Sequence, residues 1–196
     1  MGARKAIVID NMEAYVSRWL IAEYSEASRV AEERGVNLYV AGLVPGELES
    51  ILAKRGVRIL REAESLCNRP DAVLLDMRAP KTLDPMEAEG ASCFIVGGIM
   101  GDRPPRGRTI LLYHKYPYAA RRNLGTLQLS VDGTVKVLTK ILSGTPMSEI
   151  KVVYPVKLAI NSPMGLVEVE LPFAYPVERG EPWIPGEVVK LLKSGL

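Results

Sequence analysis

One histidine, one glutamine and two cysteines are all that the 196-residue chain holds of three side-chain types on which much protein chemistry depends. His114 and two scattered cysteines cannot supply the four N or S ligands that a structural zinc site takes, so no metal centre is expected. A hydrolytic triad would have to use His114, and no G-x-S-x-G elbow is present to hold a serine nucleophile. The G-x-x-x-x-G-K-[ST] phosphate loop is missing as well. With only Cys67 and Cys93, a disulfide framework is not expected, which fits a reducing interior. No apolar run approaches the roughly eighteen residues of a membrane span. The opening MGARKAIVID has too short an apolar stretch for a signal peptide and no small-residue cleavage site, so a cytoplasmic protein is expected. Lys and Arg number 25 against 23 Asp and Glu, and a net charge of +2 creates no global field demanding a nucleic-acid partner. The shortage of amides, five Asn and one Gln, fits a thermophilic source.

What is present reads as one α/β domain spanning residues 1–196. Ala6-Ile7-Val8-Ile9, Ala72-Val73-Leu74-Leu75 and Cys93-Phe94-Ile95-Val96 are short continuous apolar runs, suited to strands buried on both faces. Asn37 to Ala41 and Val57 to Leu60 read as two more strands. Between them, Tyr15 to Arg34 carries Trp19, Leu20, Tyr24, Ala27, Val30 and Ala31 at helical spacing, with Gly35 to end it. A second helix runs from Pro45-Gly46 to about Arg55. Strands separated by helices predict a mostly parallel sheet with helices on both faces. Val131 to Leu142 predicts a further helix, with Ser130 as its N-cap. Val152 to Tyr154 and Leu166 to Leu171 read as strands with a turn over Asn161 to Gly165 between them, and Glu187 to Lys193 as a terminal helix.

Three segments carry candidate chemistry. Gly97-Gly98-Ile99-Met100-Gly101 closes a buried strand, where ligands of open α/β sheets bind and glycines let the backbone approach them. It does not match the G-x-G-x-x-G dinucleotide pattern. Leu75-Asp76-Met77-Arg78 leaves another strand, and Leu124 to Ser130 leads into a helix. Gln128 there can both donate and accept, as an adenine or ribose edge requires. Between Asp102 and Asp132 lie 29 residues without a carboxylate, and they hold Arg103, Arg106, Arg108, Lys115, Arg121 and Arg122. That cluster suits phosphate or RNA, or else pairs internally with the acids around Glu87 and Glu89. Asp10, Asn11 and Glu13, past the first strand, suit a cationic substrate group or the capping of the next helix.

Together these segments resemble a known family. Asp10 to Glu13 with Trp19 to Ser25, Leu74 to Ala79, the GDRPP-R-x-R-T block from Gly101 to Thr109 and the block from Arg122 to Asp132 resemble motifs of the SPOUT trefoil-knot methyltransferases. The branch is that of the protein arginine methyltransferase acting on a small-subunit ribosomal protein. Leu171-Pro172-Phe173 and Pro182 to Pro185 also fit it, so the likeness spans nearly the whole chain. The resemblance implies a C-terminal trefoil knot and S-adenosylmethionine as cofactor. It implies a first cofactor loop at Asp76, Met77 and Arg78, and a second at Gly97, Gly98 and Gly101. The third would comprise Leu124, Gly125, Gln128, Leu129 and Thr134. A methyl donor that is already activated needs alignment and electrostatics from the protein and neither metal nor nucleophile. Asp102 is then the expected catalytic acid–base group, with Glu13 and Asp10 as substrate-side acids. Arg103, Arg106, Arg121 and Arg122 would hold phosphates if the substrate were RNA. The leading expectation is methylation of an arginine in a ribosomal protein by a monomer, with a homodimer as the alternative state. The alternative functions are an RNA methyltransferase acting on ribosomal or transfer RNA, and a non-catalytic ribosome- or RNA-binding factor.

Overall fold

The computed structural model describes residues 5–101, 107–162 and 165–194. Its first two thirds run β1 (Ala6–Asn11), α1 (Arg18–Glu33), β2 (Asn37–Gly42), α2 (Gly46–Lys54), β3 (Arg58–Ile59), α3 (Ala63–Cys67), β4 (Ala72–Leu75), α4 (Pro85–Gly90), β5 (Cys93–Gly98), α5 (Leu112–Lys115), β6 (Ala120–Arg122) and α6 (Val131–Leu142). The six strands form one parallel sheet in the order β3-β2-β1-β5-β4-β6. Both faces are covered, which is why the central strands β1 and β4 are buried at every position and begin with continuous apolar runs. Ile7, Ile9, Val73, Leu75, Phe94 and Val96 face α1, α2, α4 and α6. Ala6, Val8, Leu74 and Ile95 face α3 and α5. The expected α/β class with a mostly parallel sheet is the one observed.

Helix α1 begins at Arg18 rather than Tyr15, because Ser17 caps it by accepting the Leu20 N–H at 3.0 Å. Helix α6 spans Val131–Leu142 as expected, and the Ser130 hydroxyl accepts the Gly133 N–H at 3.2 Å.

Two expectations need correction. The turn near Asn161 joins β8 (Val156–Ser162) to β9 (Gly165–Leu171), an antiparallel pair, whereas β7 (Val152–Val153) pairs with β10 (Tyr175–Glu178). The run after Pro155 was missed although Val156, Leu158 and Ile160 alternate along it and Val156 and Ile160 are buried. Strand β11 (Glu181–Pro182) and helix α7 (Gly186–Lys193) complete the chain. Second, Cys67 and Cys93 form a disulfide, with their Cα atoms 5.5 Å apart. Packing of α3 against β5 brings the two together, so the scarcity of cysteine did not exclude a bridge and supports no inference about a reducing interior. Among the described residues no helix is long and apolar enough to cross a membrane.

Candidate active site

Three loops leave the sheet side by side, after β4, β5 and β6, and Asn123 ties two of them together. Its amide donates to Ala79 O at 2.8 Å, while its side-chain oxygen accepts Thr82 Oγ1 at 2.9 Å and Gly125 N–H at 3.0 Å. Its backbone pairs with Lys81 and Leu83. Asp76 holds the first loop. One carboxylate oxygen accepts the Arg78 N–H at 2.9 Å, and the other accepts the Tyr113 hydroxyl. Burial, and then that bond to Asp76, raises the Tyr113 pKa above the ordinary tyrosine value. The third loop is anchored from the C-terminal side, where Ala174 N–H donates to Gln128 O at 2.8 Å.

Between the loops lies a cleft of about 810 Å³, counted out to its mouth. Nine of the eleven expected cofactor positions line it: Asp76, Met77, Gly97, Gly101, Leu124, Gly125, Gln128, Leu129 and Thr134. Gly101 sits where no side chain fits, since a Cβ would lie 1.6 Å from Gln128 Nε2 and 2.4 Å from the Phe173 ring. Gly125 has φ +84°, a conformation L residues rarely adopt. Apolar flanks come from Val96, Ile99, Leu124 and Leu127, and polar handles from Asp76 and Gln128. Apolar walls with a few placed polar groups are the usual make-up of a small-molecule site.

The remaining two positions lie elsewhere. Gly98 belongs to the opposite face of β5, where a Cβ would meet the Tyr24 hydroxyl at 2.2 Å and Asn11 Cα at 2.8 Å. Its role there is to let α1 approach the sheet. The Arg78 guanidinium lies against Gly107, which has φ +66° and itself lines the cleft, so Arg78 supports that wall without forming part of it.

The acids at the end of β1 are engaged within the protein. Asp10, expected as a substrate-side acid, is 2% exposed and faces α5, not the cleft. Its Oδ2 accepts the Tyr116 hydroxyl at 2.5 Å and pairs with Lys115 Nζ at 2.8 Å. Lys115 and Tyr116, at the end of α5, thus supply its partners within the protein. Glu13 accepts the Met100 N–H at 2.8 Å and pairs with Arg108 at 2.7 Å. Arg108 also donates to Met100 O at 2.8 Å and lines the cleft. Glu13 therefore holds the second loop.

The basic run is largely paired as well. Arg122 meets both oxygens of Glu87, at 2.5 and 2.6 Å, the internal pairing that the sequence offered beside phosphate binding. Arg121 is exposed and stacks on the Tyr113 ring, 3.7 Å from its centroid. Asp102, Arg103 and Arg106 lie outside the described residues.

Beneath the third loop is a buried carboxylate pair that the sequence did not signal. Glu23 accepts the Trp19 indole N–H at 2.6 Å and the Val131 N–H at 2.9 Å, at the N-terminus of α6. Asp132 is fully buried beside it and accepts the Gly133 N–H at 2.8 Å. Burial raises both pKa values, Glu23 to about 8 with the Asp132 charge adding to the effect, and Asp132 to about 7. Also missed were Phe173, Arg108 and Leu127. Only the glycine at 101 hinted at close packing, and nothing local marks Phe173 as its neighbour.

Comparison with known proteins accounts for this arrangement. Residues 6–196 match the family model described as protein arginine N-methyltransferase SFM1-like. The chain is 28% identical to protein arginine N-methyltransferase SFM1 of Saccharomyces cerevisiae over 95% of its own length and 93% of that protein's. The crystal structure of the yeast arginine methyltransferase SFM1 complexed with SAM superposes with a TM-score of 0.83 at 30% identity, covering 99% of this chain and 92% of that one. A Trm10 structure from Thermococcus kodakaraensis shares the fold, with a TM-score of 0.59 at 17% identity over 74% of this chain and 96% of that one. The chain belongs to the SFM1-like family of protein arginine N-methyltransferases.

Proposed function

We propose that the cleft at the ends of β4, β5 and β6 binds S-adenosylmethionine and that the protein methylates an arginine side chain of a protein. The observation that carries this reading is that the loops after β4, β5 and β6 converge on one cleft lined by Asp76, Gly97, Gly101, Gly125 and Gln128. The residues present fit the group. Val96, Leu124, Leu127 and Leu129 offer apolar surface for a purine. Asp76 and Gln128 offer an acceptor and an amide for ribose or base edges, and Gly97, Gly101 and Gly125 admit close backbone approach. When bound, S-adenosylmethionine supplies a methyl group activated by its sulfonium. The protein's own tasks are to hold the three loops, exclude water and orient the guanidinium. A guanidinium is fully protonated at neutral pH, and its nitrogen must lose a proton as it gains a carbon. Asp102, next in sequence after Gly101, is the proposed proton acceptor. Glu13 and Arg108 act as positioning residues for the loop that carries it.

The finer parts of the proposal are a ribosomal protein as substrate, a monomeric enzyme, a cytoplasmic location and a trefoil knot formed where the chain enters α6. Internal pairing of Arg108, Lys115 and Arg122 supports a protein substrate over RNA, because those cations are matched by Glu13, Asp10 and Glu87. The test is to incubate the protein with radiolabelled S-adenosylmethionine and under-methylated ribosomes from its source. Protease should then release the label and ribonuclease should not. Release by ribonuclease alone would overturn the assignment.

A further inference from the structure

A second, more open cavity of about 750 Å³, counted out to its mouth as the cleft was, lies beside the cleft, and Gly101 belongs to the walls of both. Residues of α1, the second loop, the end of β9 and α7 border it. Two of its walls are aromatic, Trp19 and Phe173, and its charged lining residue among those described is Glu170. Trp19 is held in place because its indole N–H donates to the buried Glu23. Phe173 is 4% exposed and belongs to a small cluster with Leu171 and Tyr175. The ring that would overlap a Cβ on Gly101 thus also forms a wall of the second cavity.

We infer that this second cavity receives the side chain of the target arginine, with Trp19 and Phe173 flanking the guanidinium or its methylene stem and Glu170 drawing its charge. The inference rests on the reading of the neighbouring cleft as the methyl-donor site. Three features of the cavity favour this occupant. It is continuous with the cleft at Gly101, so an occupant lies next to whatever the cleft holds. A planar cation is attracted to aromatic faces, and more strongly where water is partly excluded. The acid stands on the exposed strand β9, where a cationic side chain can approach it from solvent, whereas the neighbouring Glu168 is paired with Lys157 at 2.8 Å. A neutral or anionic occupant would gain nothing from Glu170. A lysine would lose the planar stacking that a guanidinium makes on an aromatic ring.

The test begins with calorimetric titration of S-adenosylhomocysteine, followed by N-acetylarginine amide added to the loaded protein. In a Trp183→Phe background the remaining tryptophan is Trp19, and its fluorescence reports the second step. A saturable change in the millimolar range is expected with the arginine amide, and a response about tenfold weaker with the lysine and citrulline amides. Glu170→Gln should weaken arginine binding about tenfold, as removal of a charge-assisted contact does. It should raise the KM for the protein substrate by a similar factor, with kcat little changed. Glu168→Gln, an exposed acid outside the cavity lining, should match the parent, and neither variant should alter affinity for S-adenosylhomocysteine. If S-adenosylhomocysteine fails to bind the parent protein, the reading of the first cleft is wrong. If it binds while the arginine amide gives no saturable response, or while Glu170→Gln behaves as the parent, the second cavity is not the arginine site.

Discussion

Strands β1 and β5 are neighbours and end at the same edge of the sheet, yet one end is closed and the other open. At the end of β1, Asp10 is matched by Tyr116 and Lys115, and Asn11 accepts the Tyr24 hydroxyl at 2.6 Å while its amide reaches Glu13 O at 3.0 Å. Beyond β5, Gly97 and Gly101 face a space that the protein leaves unfilled. Both ends carry the residue types that a ligand site requires. The difference is whether the fold itself supplies their partners. A strand end in an open sheet is thus a candidate site only where neighbouring loops leave a space between them, and here Asn123 fixes two of the loops that border it.

The sharpest way to break this comparison is a pair of glycine substitutions. Gly101→Val should weaken S-adenosylhomocysteine binding by about a hundredfold or more, on the order of 3 kcal/mol, because the side chain enters the cleft. The melting temperature should fall as well, since the packed Phe173 ring must shift along with Gln128. Gly98→Ala should instead leave that affinity near the parent's while costing about 1–3 kcal/mol of stability through overpacking against Tyr24 and Asn11. Calorimetry and thermal melts on both variants decide it, and equal loss of affinity would erase the distinction.

Removing the closing acid should cost nearly as much. Asp10→Ala strands the Tyr116 hydroxyl and the Lys115 ammonium, at about 2–3 kcal/mol of unfolding free energy in denaturant melts. The affinity for S-adenosylhomocysteine should remain that of the parent. A large loss of affinity would return Asp10 to the site.

A smaller effect separates the floor of the open end from its rim. Glu23 and Asp132 hold protons in the folded protein up to about pH 8 and 7, whereas in the unfolded chain they ionise near 4.5 and 3.8. Across that window the folded state binds more protons, so raising the pH favours unfolding. Their contribution is fully present below about pH 4 and declines through pH 7 to 8. Melts in a pH series should show stability falling by about 1.4 kcal/mol per pH unit per proton, and Glu23→Gln should flatten the fall. An unchanged slope would show that the pair does not govern it.

The smallest effect is expected at the surface. Arg121→Ala removes an exposed stack on Tyr113, worth about 0.5–1 kcal/mol, and should leave activity on a protein substrate near that of the parent. A large rise in KM would make this side of the site part of the substrate surface.

Much of the scaffold was legible because its periodicities are strong. The runs at β1, β4 and β5 are apolar at consecutive positions, and α6 was readable from its apolar spacing and the Ser130 cap. The glycines at 97, 101 and 125 marked the cleft because only glycine tolerates such crowding or such φ angles. Asp10 stands near the site in the chain, and nothing local announces that Tyr116 and Lys115 supply its partners. The basic run left phosphate binding and internal pairing both open, and Arg122 with Glu87 is an internal pair. In the hairpin, β9 was legible over Leu166 to Leu171, whereas β8 was not read.

By itself the sequence determined the α/β class, strands β1 to β5 with helices α1, α2 and α6, and the three loops that resemble a methyltransferase site. These follow from local spacing, turn chemistry and contiguous motifs, all of which act over a few residues. Only the tertiary structure decided which polar groups are closed off by Tyr116, Lys115 and Glu87, that Glu23 and Asp132 meet beneath α6, and that Trp19, Gly101, Glu170 and Phe173 border one cavity. Those outcomes depend on contacts between residues some 35 to more than 100 positions apart, where the geometry of packing, not the identity of neighbours in the chain, sets who meets whom.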